Sequence, residues 1–249
     1  MSVEAERRGR VLVVRILREH KRNAIDTETA FGIDAALNTL DDDADLWAGV
    51  LTGTPAVFSA GTDLSDGAGA RTDRGGEYGL IRRQRLKPLI AAVEGPALGG
   101  GFEIALACDL VVAARTAYFA LPEVSRGVLA TSGALFRAAR ALPYHVAREM
   151  LITGDPLSAE RAYHFGVVNH LVEQGEALDR AVALAERICQ NSPTSVRASL
   201  AALAALAADD DAAGWRVTEQ QLQGVLASED MAEGIAAFFE KRPPTWKGR

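Results

Sequence analysis

The stretch Gly95–Glu103, Gly-Pro-Ala-Leu-Gly-Gly-Gly-Phe-Glu, places three consecutive glycines directly before an apolar run. Because glycine has no Cβ, the backbone there can approach a ligand closely. The run Phe102–Ala107 predicts a buried helix, so the glycines lie where a helix N-terminus presents free N–H groups to negative charge. A carboxylate at Glu103, directly behind these donors, is typical of an acid/base group beside an oxyanion site. A tight turn with close helix packing explains the same residues equally well.

The composition is that of an ordinary soluble globular chain. The 249 residues are 48% hydrophobic and 24% charged, enough for one large domain or one domain with a small appended unit. The net charge of −6 argues against nucleic-acid binding, which needs a basic face. The N-terminus lacks a signal peptide's apolar core, and the longest small-apolar stretch, Ala198–Ala208, is too short to cross a bilayer. We therefore expect a cytoplasmic protein with neither a nucleic-acid nor a membrane partner.

Strand and helix patterns alternate along the first part of the chain. The predicted strands are 11–17, 47–52, 89–93, 110–113 and 117–120. A helix is predicted over Thr27–Leu40, with Asp26 or Thr27 as its N-cap. This alternation favours an α/β arrangement in which helices cover parallel strands. The segment Asp66–Tyr78, rich in Gly, Asp and Arg, is predicted as a loop and as a candidate mobile lid.

From about Gly133 onward the pattern is mostly helical. The predicted helices are Ala134–Arg140, Tyr144–Ile152, Ala159–Phe165, Leu178–Cys189, Thr194–Ala208, Trp215–Ala227 and Met231–Phe239. Ser158 and Ser228 are the predicted N-caps of two of them. We expect an α/β core over residues 1–190 and a C-terminal helical region over residues 191–249.

Two further segments offer groups for chemistry. Glu123, in Ala-Leu-Pro-Glu, lies 20 residues after Glu103. Phe58–Leu64, Phe-Ser-Ala-Gly-Thr-Asp-Leu, has small residues that allow a tight turn with an outward N–H. Two donors from separate loops would make an oxyanion hole, each contributing about 3 kcal/mol to a charged transition state. Simpler interpretations stay open: a dipole-favoured helix glutamate, a surface carboxylate and a strand-to-helix turn.

Together these motifs resemble the crotonase family, the enoyl-CoA hydratase/isomerase superfamily, over nearly the whole chain. The matching segments, in the family's order, are Arg18–Asp26, Phe58–Leu64, Ala92–Asp109, Leu121–Glu123 and Phe238–Pro243. The resemblance implies a crotonase-like α/β fold, a spiral of ββα units followed by C-terminal helices that form trimers, often paired into hexamers. It implies an acyl-CoA thioester substrate with no metal or redox cofactor, since coenzyme A is part of the substrate.

The resemblance also implies roles for single residues. It places the oxyanion N–H groups on Thr62 and Gly100, with Glu103 mainly as base and Glu123 as acid. Water addition across a 2,3-double bond needs a base at the water that attacks C3 and an acid that protonates C2. Because both glutamates are present, hydration of a 2-enoyl-CoA is the leading interpretation. Further substrate or CoA contacts are implied for Lys21, Arg22, Ala24, Ala60, Asp63, Leu64, Thr131, Phe239 and Lys241, the last two through a neighbouring subunit.

One departure from the family pattern follows the second glutamate. Many members have Pro-Gly-x-Gly-Gly there, whereas Ala130–Ala134 is Ala-Thr-Ser-Gly-Ala. The side chains of Thr131 and Ser132 add bulk and hydroxyls near the acyl pocket, which counts against the common short straight-chain substrate. Three alternatives therefore stay open: double-bond isomerisation, dehydration of an unusual, carnitinyl-CoA-like hydroxyacyl-CoA, and non-catalytic acyl-CoA binding.

Overall fold

Residues 2–66 and 71–249, the part described by the computed structural model, form eleven strands and eight α-helices. The strands are β1 (Val3–Arg8), β2 (Val11–Ile16), β3 (Ala48–Thr52), β4 (Arg71–Thr72), β5 (Gly76–Glu77), β6 (Leu89–Val93), β7 (Ala97–Leu98), β8 (Leu110–Ala114), β9 (Tyr118–Ala120), β10 (Leu157–Ser158) and β11 (His170–Val172). The helices are α1 (Thr27–Asp42), α2 (Gly100–Ala107), α3 (Ala134–Ala141), α4 (Tyr144–Thr153), α5 (Ala159–His164), α6 (Ala177–Ile188), α7 (Pro193–Leu226) and α8 (Glu229–Glu240).

A six-stranded sheet in the order β1-β2-β3-β6-β8-β11 forms the centre of the fold. Only the β1–β2 pair is antiparallel; the other four pairs are parallel, with Val50 beside Ile90 in the middle. Strands β3 and β6 are buried at every residue, because helices cover both faces of the sheet. One face packs against α1 and α2 and the other against α6. The predicted α/β arrangement is therefore confirmed.

A smaller sheet, β10-β9-β7, carries the chain into the site. Strand β7 pairs with β9 in parallel, and α2 follows β7 after a single glycine, Gly99. Strand β9 leads directly into a short 3-10 turn, Pro122–Arg126. Because β7 and β9 are hydrogen-bonded neighbours, the start of α2 and the 3-10 turn lie side by side.

Most predicted element boundaries agree with the structure to within two residues. Asp26 is the N-cap of α1, and the predicted caps Ser158 and Ser228 both accept a hydrogen bond from the first turn of their helices. Strand β1 is absent from the sequence prediction, because five of its six residues are charged or exposed at the sheet edge. The division at residue 190 stays a prediction. No helix in the described ranges has the length and hydrophobicity needed to cross a membrane.

The separate helices predicted at 194–208 and 215–227 are wrong, since both belong to the 34-residue helix α7. The helix continues through Asp209–Gly214 because no proline interrupts it and Gly214 leaves space for the Phe136 ring. The predicted lid falls partly on residues 67–70, outside the described residues. Of the remainder, Arg71–Glu77 contains the β4–β5 hairpin and Tyr78 is buried.

Two glycines of α7 give a matched test of this packing. A methyl group on Gly214 would lie 2.4 Å from Phe136 Cγ, whereas one on Gly224 would meet nothing within 4 Å. We expect Gly214→Ala to lower the free energy of unfolding by about 1–2 kcal/mol through overpacking. Gly224→Ala should raise it by about 0.5–1 kcal/mol, because alanine favours the helix. Urea unfolding of both variants checks this, and equal effects would contradict the Phe136 contact.

Candidate active site

Two loops are joined by backbone hydrogen bonds around Thr62. Ile25 N–H donates to Gly61 O at 2.7 Å, and Asp63 N–H donates to Ile25 O at 2.9 Å. Thr62 lies between these two bonds, and its own N–H finds no acceptor among the described residues. The loop 58–63 is thus fixed on both sides of a free N–H donor.

The second free donor is at the start of α2. Gly99 takes a left-handed φ of 53°, and its carbonyl accepts from both Phe102 N–H and Glu103 N–H. Gly100 is the first residue of the helix, and its N–H has no acceptor within the described ranges. A methyl group on Gly61 would lie only 2.7 Å from the Gly100 nitrogen. The close contact brings the Thr62 and Gly100 backbones together, as an oxyanion hole requires.

Glu103 lies on the first turn of α2 with only 1% of its surface exposed. Its Oε1 accepts hydrogen bonds from Ser132 N–H at 2.7 Å and Ala134 N–H at 3.1 Å. Burial raises the pKa of Glu103 to about 8, and the nearby Glu123 charge adds to this, against the opposing effect of the two N–H donors. The Ala130–Ala134 segment therefore holds one oxygen of this carboxyl.

Glu123 follows Pro122 in the 3-10 turn beside Gly99. A methyl group on Gly99 would lie 2.9 Å from Glu123 Oε1. Glu123 Oε2 is buried and has no hydrogen-bond partner in the described part of the chain. Burial raises the pKa of Glu123 to about 7. A buried polar oxygen without a partner is rare in proteins and is a sign of a functional group.

A partly buried ion-pair network supports the donor loop. The Arg18 guanidinium contacts Asp26 at 2.9 Å and Asp63 at 2.7 Å. Hydrogen bonds from Ser65 and from Arg18 lower the pKa of Asp63 to about 2. Next to this network, Asn23 takes a left-handed φ of 52°, and its side-chain amide donates to Val57 O at 2.9 Å. Asp63 thus faces Arg18 and Ser65 and stabilises the loop that carries Thr62.

A cavity of about 290 Å³ opens beside Thr62, the first of the two donors. Its wall includes the predicted residues Thr62 and Thr131. Four more lining residues lie in the two segments that the sequence analysis expects near the site, the predicted lid Asp66–Tyr78 and Ala130–Ala134: Arg71, Glu77, Tyr78 and Ser132. The remaining lining residues were not expected from the sequence: Arg82, Trp215, Thr218, Glu219 and Leu222. The last four belong to α7, far away in sequence, and their only sequence signal is an aromatic residue in the predicted C-terminal helices.

The other predicted contact residues lie in several places. Ala24 is buried, Ala60 and Leu64 are partly buried, and Lys21 and Arg22 are exposed on the first loop. Phe239 is 55% exposed on α8. Lys241 lines a separate pocket of about 270 Å³ against Arg126 and Phe238 of its own chain. Contact of Phe239 and Lys241 with a neighbouring subunit's ligand stays a prediction.

Comparisons with known proteins agree with this geometry. Residues 6–249 match the model of the enoyl-CoA hydratase/isomerase family. A carnitinyl-CoA dehydratase from Salmonella paratyphi B is 40% identical over 259 residues, covering 100% of this chain and 99% of the relative. A crystal structure of carnitinyl-CoA hydratase from Mycobacterium avium, 40% identical, superposes with a TM-score of 0.94 over 100% of this chain and 99% of that chain. An enoyl-CoA hydratase structure from Mycobacterium tuberculosis H37Rv, 41% identical with the same coverage, gives 0.79.

The fold and the site define an α/β enzyme of acyl-CoA metabolism. The chain belongs to the enoyl-CoA hydratase/isomerase family, the crotonase family, and has the crotonase fold. The resemblance drawn from the sequence motifs is therefore confirmed, as is the expected fold class.

The raised pKa of Glu123 predicts how stability depends on pH. A carboxyl whose pKa is higher in the folded state stabilises that state below its unfolded pKa of 4.5, and this stabilisation is lost as the pH rises through about 7. Glu123→Gln removes the titration. Between pH 5 and pH 7, the free energy of unfolding of Glu123→Gln should therefore increase by about 2 kcal/mol relative to the unmodified protein.

Urea unfolding at pH 5, 6, 7 and 8 measures this difference. Glu173→Gln is the matched control, because Glu173 has an exposed side chain that bridges Arg115 at the surface. A constant difference between Glu123→Gln and the unmodified protein across this range would contradict a raised pKa at Glu123.

Proposed function

We propose that the chain catalyses the reversible addition of water to the 2,3-double bond of a 2-enoyl-CoA thioester. The observation that carries this proposal is the pair of carboxyls, Glu103 and Glu123, on either side of the glycine start of α2. Isomerases need only one group that moves a proton between carbon atoms, whereas hydration needs one group for water and one for C2.

The thioester oxygen accepts hydrogen bonds from the N–H groups of Thr62 and Gly100. These donors are fixed before substrate binds. The Thr62 N–H is held by the hydrogen bonds of its two neighbours, Gly61 and Asp63, and the Gly100 N–H is held because Gly100 is the first residue of α2. Negative charge that develops on the oxygen as C3 is attacked is stabilised there, by about 3 kcal/mol for each donor.

The two carboxyls divide the proton transfers. The oxygen of water forms a bond with C3 while Glu103 takes a water proton, and Glu123 gives a proton to C2; dehydration is the reverse. One carboxyl must be protonated and the other ionised, which two neighbouring buried carboxyls favour because they resist double ionisation. Their pKa values of about 8 and about 7 keep such a single-proton state populated near neutral pH, with the proton mainly on Glu103, the group with the higher pKa. Hydration therefore starts from the less populated form, in which Glu123 carries the proton, and dehydration starts from the more populated one.

Coenzyme A recognition extends beyond the acyl cavity. The exposed cations Lys21 and Arg22 on the first loop suit the CoA phosphates. Ala24, Ala60 and Leu64 would line the same path, with Thr131 at the acyl end. We propose a homotrimer, or a dimer of trimers, in which Phe239 and Lys241 contact the CoA of a neighbouring subunit.

A second candidate is dehydration of a polar hydroxyacyl-CoA, of the carnitinyl-CoA kind. Hydroxyl side chains at Thr62, Tyr78, Thr131 and Ser132 line the cavity beside the apolar side chains of Trp215 and Leu222, so a polar substituent would find hydrogen-bonding partners there. The relatives named carnitinyl-CoA dehydratase and hydratase support the same substrate class. The chemistry is the reverse of hydration, so the same two glutamates would perform it.

Crotonyl-CoA tests the hydration directly. We expect the ultraviolet absorbance of its conjugated thioester to fall when the purified protein is added. Glu103→Gln and Glu123→Gln should each lower kcat by about 10²–10⁴-fold, the usual contribution of a positioned acid or base. Glu173→Gln should leave kcat unchanged. Normal turnover in either active-site variant would remove that glutamate from the proposed mechanism.

Substrate choice separates the two candidates. If the site favours polar hydroxyacyl groups, kcat/KM for dehydration of carnitinyl-CoA should exceed that for 3-hydroxybutyryl-CoA by at least about tenfold. Equal values, with rapid turnover of crotonyl-CoA, would favour a general short-chain hydratase. Conversion of a 3-enoyl-CoA to a 2-enoyl-CoA without hydration would instead indicate an isomerase.

A further inference from the structure

Tyr78 has a strained backbone in the wall of the acyl cavity. Its φ is 57°, in the left-handed region that a bulky aromatic residue rarely adopts. The turn is tightly packed, since a methyl group on the next residue, Gly79, would lie 2.3 Å from Ala30 O in α1. Strain of this kind persists only where the surrounding structure enforces it, and it is concentrated at functional sites.

The strained turn directs the phenol to the two proposed oxyanion residues. Tyr78 Oη lies 2.8 Å from Thr62 Oγ1. A methyl group on Gly100 would lie 2.3 Å from the same phenol oxygen. The residue is only 6% exposed, yet it borders the cavity. The phenol thus borders the cavity next to Thr62 and Gly100, where the proposed function places the thioester.

The phenol is a hydrogen-bonding group at neutral pH. Burial, together with the nearby Glu103 charge, raises the pKa of Tyr78, so the group keeps its proton. A phenol hydroxyl can both donate and accept, and when the hydroxyls of its two partners, Thr62 and Ser132, donate to it, its own proton is free for a ligand. An alkyl chain would bury this hydroxyl without offering a hydrogen bond, and sites built in this way discriminate against such ligands.

We propose that Tyr78 is a specificity-determining residue that hydrogen-bonds an oxygen substituent of the acyl group. The site consequently prefers a hydroxyacyl-CoA to the matching alkanoyl-CoA. This inference rests on the proposed function only in placing the thioester at Thr62 and Gly100. It names the substrate feature that the cavity recognises, an oxygen near C3.

The test compares the binding of two CoA thioesters of equal chain length, butyryl-CoA and 3-hydroxybutyryl-CoA. Dissociation constants are measured by calorimetry in a Glu123→Gln background, where the proposed dehydration is slowed. We expect 3-hydroxybutyryl-CoA to bind about tenfold more tightly than butyryl-CoA, and Tyr78→Phe to lower this ratio by about threefold or more, because only the contact of the C3 oxygen with Glu103 then remains. Tyr163→Phe is the matched control, because Tyr163 is 51% exposed on α5 and should leave the ratio unchanged.

An unchanged ratio in Tyr78→Phe, or equal weakening of both ligands, would overturn the inference, since a merely structural tyrosine would not distinguish the ligands. If Tyr78→Phe does not fold, Thr62→Val is used instead, because it removes a hydroxyl partner of the phenol. The ratio of the two dissociation constants should again fall. Crotonyl-CoA turnover by the unmodified protein is measured alongside. If turnover is absent but the binding preference is intact, the proposed hydration is wrong and the role of Tyr78 stands. If neither thioester binds, both the proposed hydration and the role of Tyr78 are wrong.

Discussion

The backbones of Gly61 and Gly100 approach each other so closely that neither position has room for a side chain. A methyl group on Gly61 would meet the Gly100 nitrogen, and one on Gly101 would lie 2.1 Å from Ser59 O. The two segments follow strands of different sheets, one after β3 of the six-stranded sheet and the other after β7 of the smaller sheet. Because they touch through glycine alone, two N–H donors from distant sequence positions can point to one place. The same glycine turn also places the two carboxyls. Glu103 follows it on α2, and Glu123 lies beside Gly99.

Leaving two buried N–H groups without acceptors costs free energy, and the surrounding loops offset it. The first loop donates and accepts on both sides of Thr62, and the Ser59 hydroxyl donates to Asn23 O at 2.8 Å. The left-handed Asn23 and the paired Arg18 and Asp63 keep this loop in place. The stabilising hydrogen bonds and ion pairs therefore surround the two donors, while the donor N–H groups themselves have no acceptor within the described residues. This is the arrangement expected where charge must be stabilised during a reaction.

Local patterns in the sequence indicate candidate groups next to regular elements: the triple glycine before an apolar run, and the two glutamates near a helix and a strand. Their roles come from the family resemblance and not from the patterns alone. The exact positions of Tyr78 and Trp215 could not be predicted from such patterns, although Tyr78 ends the predicted lid segment. Tyr78 reaches the cavity only through a left-handed turn packed on α1, and Trp215 only because α7 continues through Gly214 and returns to the core. Both depend on contacts between segments distant in sequence.

The site therefore has two physically distinct halves. The oxyanion donors and carboxyls belong to the strands and the helix of the core, where a single methyl group would be a clash. The acyl cavity is closed by a turn and by α7, where Trp215 stacks on the Arg82 guanidinium 3.8 Å from its ring centroid. The proposed chemistry thus depends on the glycine contact, whereas the proposed choice of acyl group depends on side chains such as Tyr78 that border the cavity from a turn outside the central sheet.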